Sequence, residues 1–216
     1  MPKGKSIRCL ISGLARLRTN VPSLVAGLDQ VATERTSSST YVALLRGINV
    51  GGRNRLPMGD LKRMFKDAGC LSVRTYIQSG NVIFVSTPSG SQMARETIAA
   101  AVFEAMGTRI PIILRSIHEL TQVVGQNPFL SESQDSRTLH VGFLADRPSS
   151  RLVSRLDPNR SPPDEFAVQG SEIYLHLPNG VARTRFTTAY LERALATEGT
   201  FRNWRTVVSL VRIGSG

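Results

Sequence analysis

The spacing of apolar and polar residues along the chain predicts a mixture of strands and helices. The run from Tyr41 to Leu45 is short, apolar and rich in β-formers, which is typical of a buried central strand. After Pro57, apolar residues recur at helical spacing until Gly69 ends the pattern. The apolar positions of this predicted helix are Met58, Leu61, Met64, Phe65 and Ala68. The first strand is therefore followed by a helix.

The next segments complete a β-α-β-β-α-β order in the first half of the chain. The predicted elements are strands over 73–78 and 82–85, a helix over 92–106, a strand over 109–115 and a short helix through 124. The tight turn Ser79-Gly80-Asn81 joins the two strands of a hairpin. Ser116 is placed to cap the short helix. This order is that of the ferredoxin-like unit.

The second half follows the same order only in part. Its predicted elements are a strand over 139–144, a helix near 151–156, a hairpin of 165–168 with 172–177, and helices over 187–197 and 204–213. This count is β-α-β-β-α-α, without an evident final strand. We predict an α+β fold of two ferredoxin-like subdomains, 40–125 and 126–216, with the duplication inferred from element order alone.

Residues 1–39 are expected to form a flexible N-terminal extension. A short apolar run from Cys9 to Ala15 is followed directly by Arg16 and Arg18. A signal peptide needs about 7–15 uninterrupted apolar residues and a small-residue cleavage site, so secretion is disfavoured. The run 36–40, Thr-Ser-Ser-Ser-Thr, is typical of a linker. We interpret the leader as disordered, or as the product of an upstream start codon chosen in error.

The composition is that of an ordinary globular protein. Of the 216 residues, 41% are hydrophobic and 20% are charged, which excludes disordered, collagen-like and long coiled-coil classes. The longest stretch without a charged residue, 75–94, contains too many polar residues to cross a membrane. The two cysteines, Cys9 and Cys70, form no CxxC motif, so neither a metal site nor a disulfide framework is indicated. A cytoplasmic location is expected.

The net charge of +11 indicates anionic partners. Residues 1–39 hold six basic and two acidic residues, so a net charge of +7 belongs to residues 40–216. Such a surface favours nucleic acid, nucleotides, phosphate esters or acidic lipid. Arginine greatly outnumbers lysine, however, and a coding bias on a solvated surface would give the same excess.

Three segments of the chain resemble one known family. These are Tyr41 to Gly52 with the run LLRGINVGG, Thr75 to Val82 with YIQSGNV, and Arg202 to Val207 with RNWRTV. Together they resemble the bacterial family called domain of unknown function 1697, from about residue 40 to the C-terminus. The resemblance implies two ferredoxin-like subdomains, in agreement with the element order, and it implies no activity.

The first candidate site is the loop from Arg46 to Gly52. An arginine at a strand end can hold a phosphate or carboxylate bidentately, and the N–H groups of a loop with Asn49, Gly51 and Gly52 can form an anion nest. The glycine spacing is not that of a dinucleotide fingerprint or a P-loop. The alternative is a structural role, in which the glycines of the loop only permit tight packing.

The second and third candidates follow the other two family segments. Ser79 and Asn81 flank a glycine in the hairpin turn and are candidates for ligand binding. The alternative explanation is that these residue types simply favour a tight turn. Arg202 and Asn203 are residue types that often bind anions and amide groups. Trp204 either packs in the core or offers its ring to a ligand. If Arg46 and Arg202 converge, the two halves form one cleft.

The sequence favours a binding protein for a small phosphate- or carboxylate-bearing ligand in a cleft between the subdomains. Two alternatives stay open, a nucleic-acid-binding protein and a protein-interaction scaffold without catalysis. Ferredoxin-like folds include RNA binders that stack bases on sheet aromatics, but the first strand here offers only Tyr41 and the hairpin only Tyr76 and Phe84. The three histidines show no metal-ligand spacing and no GxSxG motif is present, so no metal and no reaction is assigned. The sequence names no cofactor, ligand or oligomeric state.

Overall fold

The first sheet and its helices come from the first half of the chain. The computed structural model describes residues 37–51, 54–131 and 135–216. Its first four strands are β1 (Ser39–Leu45), β2 (Leu71–Tyr76), β3 (Asn81–Ser86) and β4 (Ile112–Ser116). The helices among and after them are α1 (Met58–Asp67), α2 (Pro88–Met106) and α3 (Ile117–Gly125). We call β1 to α3 the first subdomain.

The second half of the chain repeats this order. Its strands are β5 (Leu139–Leu144), β6 (Glu165–Gln169), β7 (Glu172–His176) and β8 (Gly199–Asn203). Its helices are α4 (Ser150–Val153), α5 (Thr188–Leu195) and α6 (Trp204–Gly214). We call β5 to α6 the second subdomain. The predicted leader, residues 1–39, lies outside the described residues apart from Ser37, Ser38 and Ser39.

The two sheets have the same topology. The strand order is β2-β3-β1-β4 in the first sheet and β6-β7-β5-β8 in the second, and all neighbours are antiparallel. This is the ferredoxin-like arrangement, so the predicted α+β fold of two such subdomains is confirmed. Tyr41 pairs with Phe84 in the first sheet, and His140 pairs with Leu175 at the equivalent position of the second.

Three apolar cores hold the sheets together because both faces of the central strands are covered. On β1, Ala43 and Leu45 face α1 and α2, whereas Val42 and Leu44 face the second subdomain. The shared core draws on β5, β7, α3 and α6, with Phe143 at 0% exposure. A third core lies between the second sheet and α4 and α5. Burial on both faces explains the continuous apolar run of β1.

The predicted second half lacked a final strand, and this prediction was wrong. Strand β8 exists and pairs with β5, with Val141 opposite Arg202 and Leu144 opposite Gly199. The run Gly-Thr-Phe-Arg-Asn has weak intrinsic strand propensity, so its pairing with β5 decides its structure.

Capping side chains define several helix starts. Ser116 caps α3 as predicted, because its Oγ accepts from Glu119 N (3.2 Å) and the Glu119 carboxylate accepts from Ser116 N (2.6 Å). Helix α2 begins at Pro88, earlier than the predicted Gln92, since Thr87 caps it and proline fits the first turn. None of the helices in the described residues has the length and apolar character of a membrane span.

The shared core predicts one cooperative unfolding transition for the described body. Expressed alone, fragments 40–125 and 126–216 would each expose the apolar face that the other covers, so both should be insoluble or molten. Far- and near-UV circular dichroism of the intact chain should give coincident urea transitions. Two halves that fold independently would contradict this expectation.

Gly142 on β5 supplies a sharper test of packing. A Cβ at this position would lie 2.6 Å from Ile173 Cγ2 and still closer to the Phe201 ring. We expect Gly142→Ala to lower the free energy of unfolding by about 1–3 kcal/mol, the range for overpacked cores.

The matched control is Gly59→Ala, because Gly59 lies in α1 and no neighbouring atom lies within 4 Å of the place that a methyl group would occupy. Alanine there should be neutral or stabilise by up to about 1 kcal/mol. Equal urea midpoints for the two variants would show that Gly142 is not tightly packed against Ile173 and Phe201.

Candidate functional site

Arg202 brings the three family-like segments together in the interior. It lies on β8 and is only 7% exposed. Its Nε donates to Asn81 Oδ1 (2.6 Å), and its Nη2 donates to the carbonyls of Leu45 (2.8 Å) and Ser79 (3.2 Å). One side chain of the second subdomain thus joins the end of β1 to the β2–β3 turn.

The remaining Arg202 donors are also used within the protein. Its Nη1 donates to Thr200 Oγ1 (2.7 Å) and to the Phe201 carbonyl (2.9 Å). Burial lowers the pKa of Arg202 to about 10, so the guanidinium is still charged at neutral pH. Its charge is met by neutral oxygens, as no ion pair of Arg202 occurs among the described residues. Every N–H group has an acceptor, which leaves none for a ligand.

Arg115 makes the reciprocal contact from the first subdomain to the second. It occupies the next-to-last position of β4, as Arg202 does on β8. Its Nε donates to Glu172 Oε1 (2.8 Å) at the start of β7, and its Nη2 donates to the Leu144 carbonyl (2.8 Å) at the end of β5. Sequence reasoning missed this residue, although a cation in the otherwise apolar run of β4 was a visible signal.

The hairpin turn is built to receive Arg202. Asn81 is fully buried, and its Nδ2 donates to the Tyr76 carbonyl (3.2 Å) and to Ser79 Oγ (3.0 Å). Gly80 has φ 71°, and a Cβ there would lie 2.9 Å from Leu45 Cβ. A glycine is therefore required where the turn packs on the end of β1.

The loop after β1 is held by one ion pair and one amide clamp. Arg46 Nη2 lies 2.8 Å from Glu192 Oε2 on α5, so a carboxylate satisfies this cation. The Asn49 amide donates to the Leu56 carbonyl and accepts from Leu56 N, both at 2.8 Å. Gly51 is exposed with φ 60°, and the predicted site residue Gly52 lies outside the described residues.

The last two predicted site residues have structural contacts. Asn203 caps α6, since its Oδ1 accepts from Arg205 N (2.9 Å). Trp204 is 5% exposed and packs in the shared core. The predicted residues thus lie in three environments, which are the Arg202 cluster, the β1–α1 loop and the start of α6.

Two open cavities adjoin these residues. A cavity of about 400 Å³, here called the loop cavity, is lined by Asn49, Arg55, Leu56, Pro57 and Gln78. A groove of about 540 Å³ lies between the subdomains, and its lining residues include Arg46, Asp146, Glu192, Arg193 and Glu198. The sequence analysis did not name Arg55 or Gln78 as site residues. Gln78 lies within the family-like segment 75–82, and Arg55 lies three residues after the segment 41–52.

The few aromatic side chains of the first sheet pack within the fold. Phe84 is 1% exposed, and the Tyr41 ring stacks on it with a centroid distance of 5.9 Å. Tyr76 packs against the shared core. The Phe84 ring is therefore unavailable to a stacked base, and Tyr41 and Tyr76 are half-buried.

A family model described as a protein of unknown function (DUF1697) matches residues 38–174. The chain belongs to the DUF1697 family. Among solved structures, the conserved bacterial protein SP0830 from Streptococcus pneumoniae matches with a TM-score of 0.63 and 20% identity, covering 83% of this chain and 100% of its own. No curated protein matches the sequence significantly.

For this DUF1697 protein, the comparisons establish the family and the α+β fold, and they assign no ligand. The matched range contains the loop after β1, the hairpin turn and Arg115, and it ends before β8. The assignment of a function therefore depends on the geometry of this chain.

Replacing Arg202 tests whether the buried guanidinium holds the subdomains together. Arg202→Met should lower the free energy of unfolding by about 2–4 kcal/mol, because buried acceptors left without a donor cost about 1–3 kcal/mol each. Arg202→Lys should recover only part of this loss, since lysine lacks the planar fork. The measurement is the urea midpoint at constant m-value.

Arg46→Ala is the matched control, because it removes another arginine contact between the subdomains. Its side chain is 36% exposed, so the Arg46–Glu192 pair should contribute less than about 1 kcal/mol. A larger loss for Arg46→Ala than for Arg202→Met would contradict the assigned role of Arg202.

Proposed function

We propose that this protein binds a small phosphate- or carboxylate-bearing ligand in the loop cavity of the first subdomain. The observation that carries the proposal is the positive charge of the cavity. Within the described part of its lining, Arg55 is the only charged side chain. Gln78 supplies an exposed amide group at the same cavity, Asn49 shapes its wall through the contacts with Leu56, and Leu56 and Pro57 supply apolar surface. This combination suits an anionic group attached to a small organic body.

Arg55 is available for an external anion. Its side chain is exposed, and no carboxylate pairs with it among the described residues. A guanidinium binds phosphate or carboxylate through two parallel N–H donors, which fixes orientation as well as charge. Arg46, the arginine predicted from the sequence, already has such a partner in Glu192.

Side-chain hydrogen bonds and left-handed backbone angles shape the cavity walls. Asn49 and Asn54 have φ values of 57° and 50°, and their amides bond the Leu56 and Gly47 carbonyls. Ile77, which precedes Gln78, has φ 49°, a region that β-branched residues rarely adopt. Backbone strain of this kind is enriched at binding sites, where the surrounding structure maintains it. A preformed wall reduces the ordering cost of binding.

The start of α1 presents uncapped backbone N–H groups, whose positive charge Asp60 in the first turn offsets in part. Pro57 occupies the N-cap position, and no side chain caps the first N–H groups of the helix. The partial positive charge of a helix N-terminus stabilises an anion nearby, by about 0.3–1 kcal/mol at an exposed site. This contribution supports the charge of Arg55.

The groove between the subdomains is a weaker candidate for an anion. Arg46 is paired with Glu192, and Arg109 Nη2 lies 2.9 Å from Glu198 Oε2. Asp146 adds a further carboxylate to the lining. A ligand anion in this groove would compete with carboxylates already present, so the proposal places the ligand in the loop cavity instead.

Titration with inorganic phosphate and with a nucleoside monophosphate tests the proposal by calorimetry. The wild type should show saturable binding, and Arg55→Ala should weaken it at least about tenfold, because a charge-assisted contact contributes roughly 1.5–3 kcal/mol. Arg55→Lys should give an intermediate affinity, since the point charge remains without the fork.

Arg74→Ala is the control, because Arg74 is an exposed arginine on β2 with no ion pair among the described residues. It changes the net charge as Arg55→Ala does, but away from the cavity lining. Equal losses of affinity in the two variants would show a general effect of surface charge and would refute the proposed site.

A further inference from the structure

We propose that the second subdomain has a separate site for a small, uncharged, planar aromatic molecule that carries one N–H or O–H donor. The site is a cavity of about 250 Å³, here called the β5 cavity, with His140, Leu175 and Phe201 on the sheet side. It lies in a different subdomain from the loop cavity, so the two proposals stand independently.

The β5 cavity occupies the position at which the first subdomain places two aromatic rings. Tyr41 and Phe84 are paired neighbours on β1 and β3 and stack on each other. The equivalent pair on β5 and β7 is His140 and Leu175, which are smaller side chains. The same fold thus accommodates stacked rings here in one half and leaves space in the other.

The helices over the second sheet are too short to close this space. In the first subdomain, α1 has 10 residues and α2 has 19, whereas α4 has 4 and α5 has 8. The segment 177–187 runs between β7 and α5, and Val181, Thr184 and Phe186 from it line the cavity. A loop therefore replaces helix as the outer wall.

The cavity lining points to a ligand without net charge. The protein has a net charge of +11, yet none of the described residues in the lining is an acid, a lysine or an arginine. Transfer of an ionised group into such surroundings is unfavourable because no side chain of opposite charge in the described lining pairs with it. Five of the nine lining residues are aliphatic or aromatic, with Phe186 and Phe201 as the rings, and three are threonines, a combination that favours a flat, mainly apolar body.

His140 provides the acceptor that selects for a donor on the ligand. Its Nδ1 lies 3.3 Å from the Thr138 carbonyl, which can only accept, so Nδ1 carries the proton in this contact. The other nitrogen, Nε2, then carries a lone pair, and His140 is one of the residues that line the cavity. Burial lowers the pKa of His140 below its ordinary 6.5, so the ring is neutral at pH 7.

The volume sets the size of the ligand. A cavity of about 150 Å³ lined by apolar side chains holds benzene. The β5 cavity, at about 250 Å³, has room for a fused bicyclic ring. Indole has this size, no charge and one N–H donor, and it is therefore the probe of choice.

Indole and its oxygen analogue benzofuran form a matched pair, since they differ chiefly in the N–H donor. Titration of the full chain, followed by amide NMR shifts, should show saturable indole binding at Val181, Thr188 and Phe201. Benzofuran should bind about fivefold more weakly, because one neutral hydrogen bond contributes roughly 1 kcal/mol. Indole-3-carboxylate should not bind there, because its charge is uncompensated.

Two variants locate the binding. The double variant His140→Tyr/Leu175→Phe rebuilds the ring pair of the first subdomain, so it should fill the cavity and abolish indole binding while it preserves or raises the melting temperature. Val181→Trp changes a residue that is 61% exposed at the cavity, and it should also block indole if the double variant fails to fold.

His118→Tyr is the control, because it makes the same kind of substitution at an exposed position on α3. It should leave indole binding unchanged. The proposal is overturned if the wild type shows no saturable indole binding, if Val181→Trp binds indole as well as the wild type does, or if benzofuran equals indole in affinity.

Discussion

Two buried arginines that cross between the sheets are the constraint on which the rest of this structure depends. Arg115 and Arg202 occupy equivalent places on β4 and β8, and each bonds the carbonyl at the end of the other subdomain's first strand. A buried guanidinium without these acceptors would cost several kcal/mol, so each sheet fixes the position of the other. The shared apolar core contains side chains of both subdomains, and the two arginines bridge the strand ends beside it.

These arginine contacts explain why the segments that resemble the family contain residues that hold the fold together. Asn81 and Gly80 shape the turn that receives Arg202, and Trp204 fills the shared core next to it. Groups whose donors and acceptors are satisfied inside the protein are poor ligand contacts. Ligand chemistry is therefore expected at neighbours that these arginine contacts leave exposed, and Arg55 and Gln78 fit this description.

The two subdomains share a topology but differ in what covers their outer faces. The long α2 and the Tyr41–Phe84 pair close the first sheet, whereas a loop and the smaller pair His140 and Leu175 leave a cavity on the second. Duplication of one fold thus yields two chemically different surfaces, a cationic one beside the β1–α1 loop and an uncharged one beside β5. Function is decided by such local differences and not by the fold.

The order of apolar and polar residues determined the element order of the first subdomain, the capping of α3 by Ser116 and the α+β fold of two similar units. These features depend on local periodicity and short-range hydrogen bonds, which a sequence displays directly. The final strand β8 and the partners of Arg46 and Arg202 were decided only by tertiary structure. Arg202 and Asn81 are separated by 121 residues, and Arg115 and Glu172 by 57, so no local pattern pairs them. Only the packed sheets reveal which cations are already satisfied and which remain free to bind a ligand, because satisfaction depends on acceptors brought from the other half of the chain.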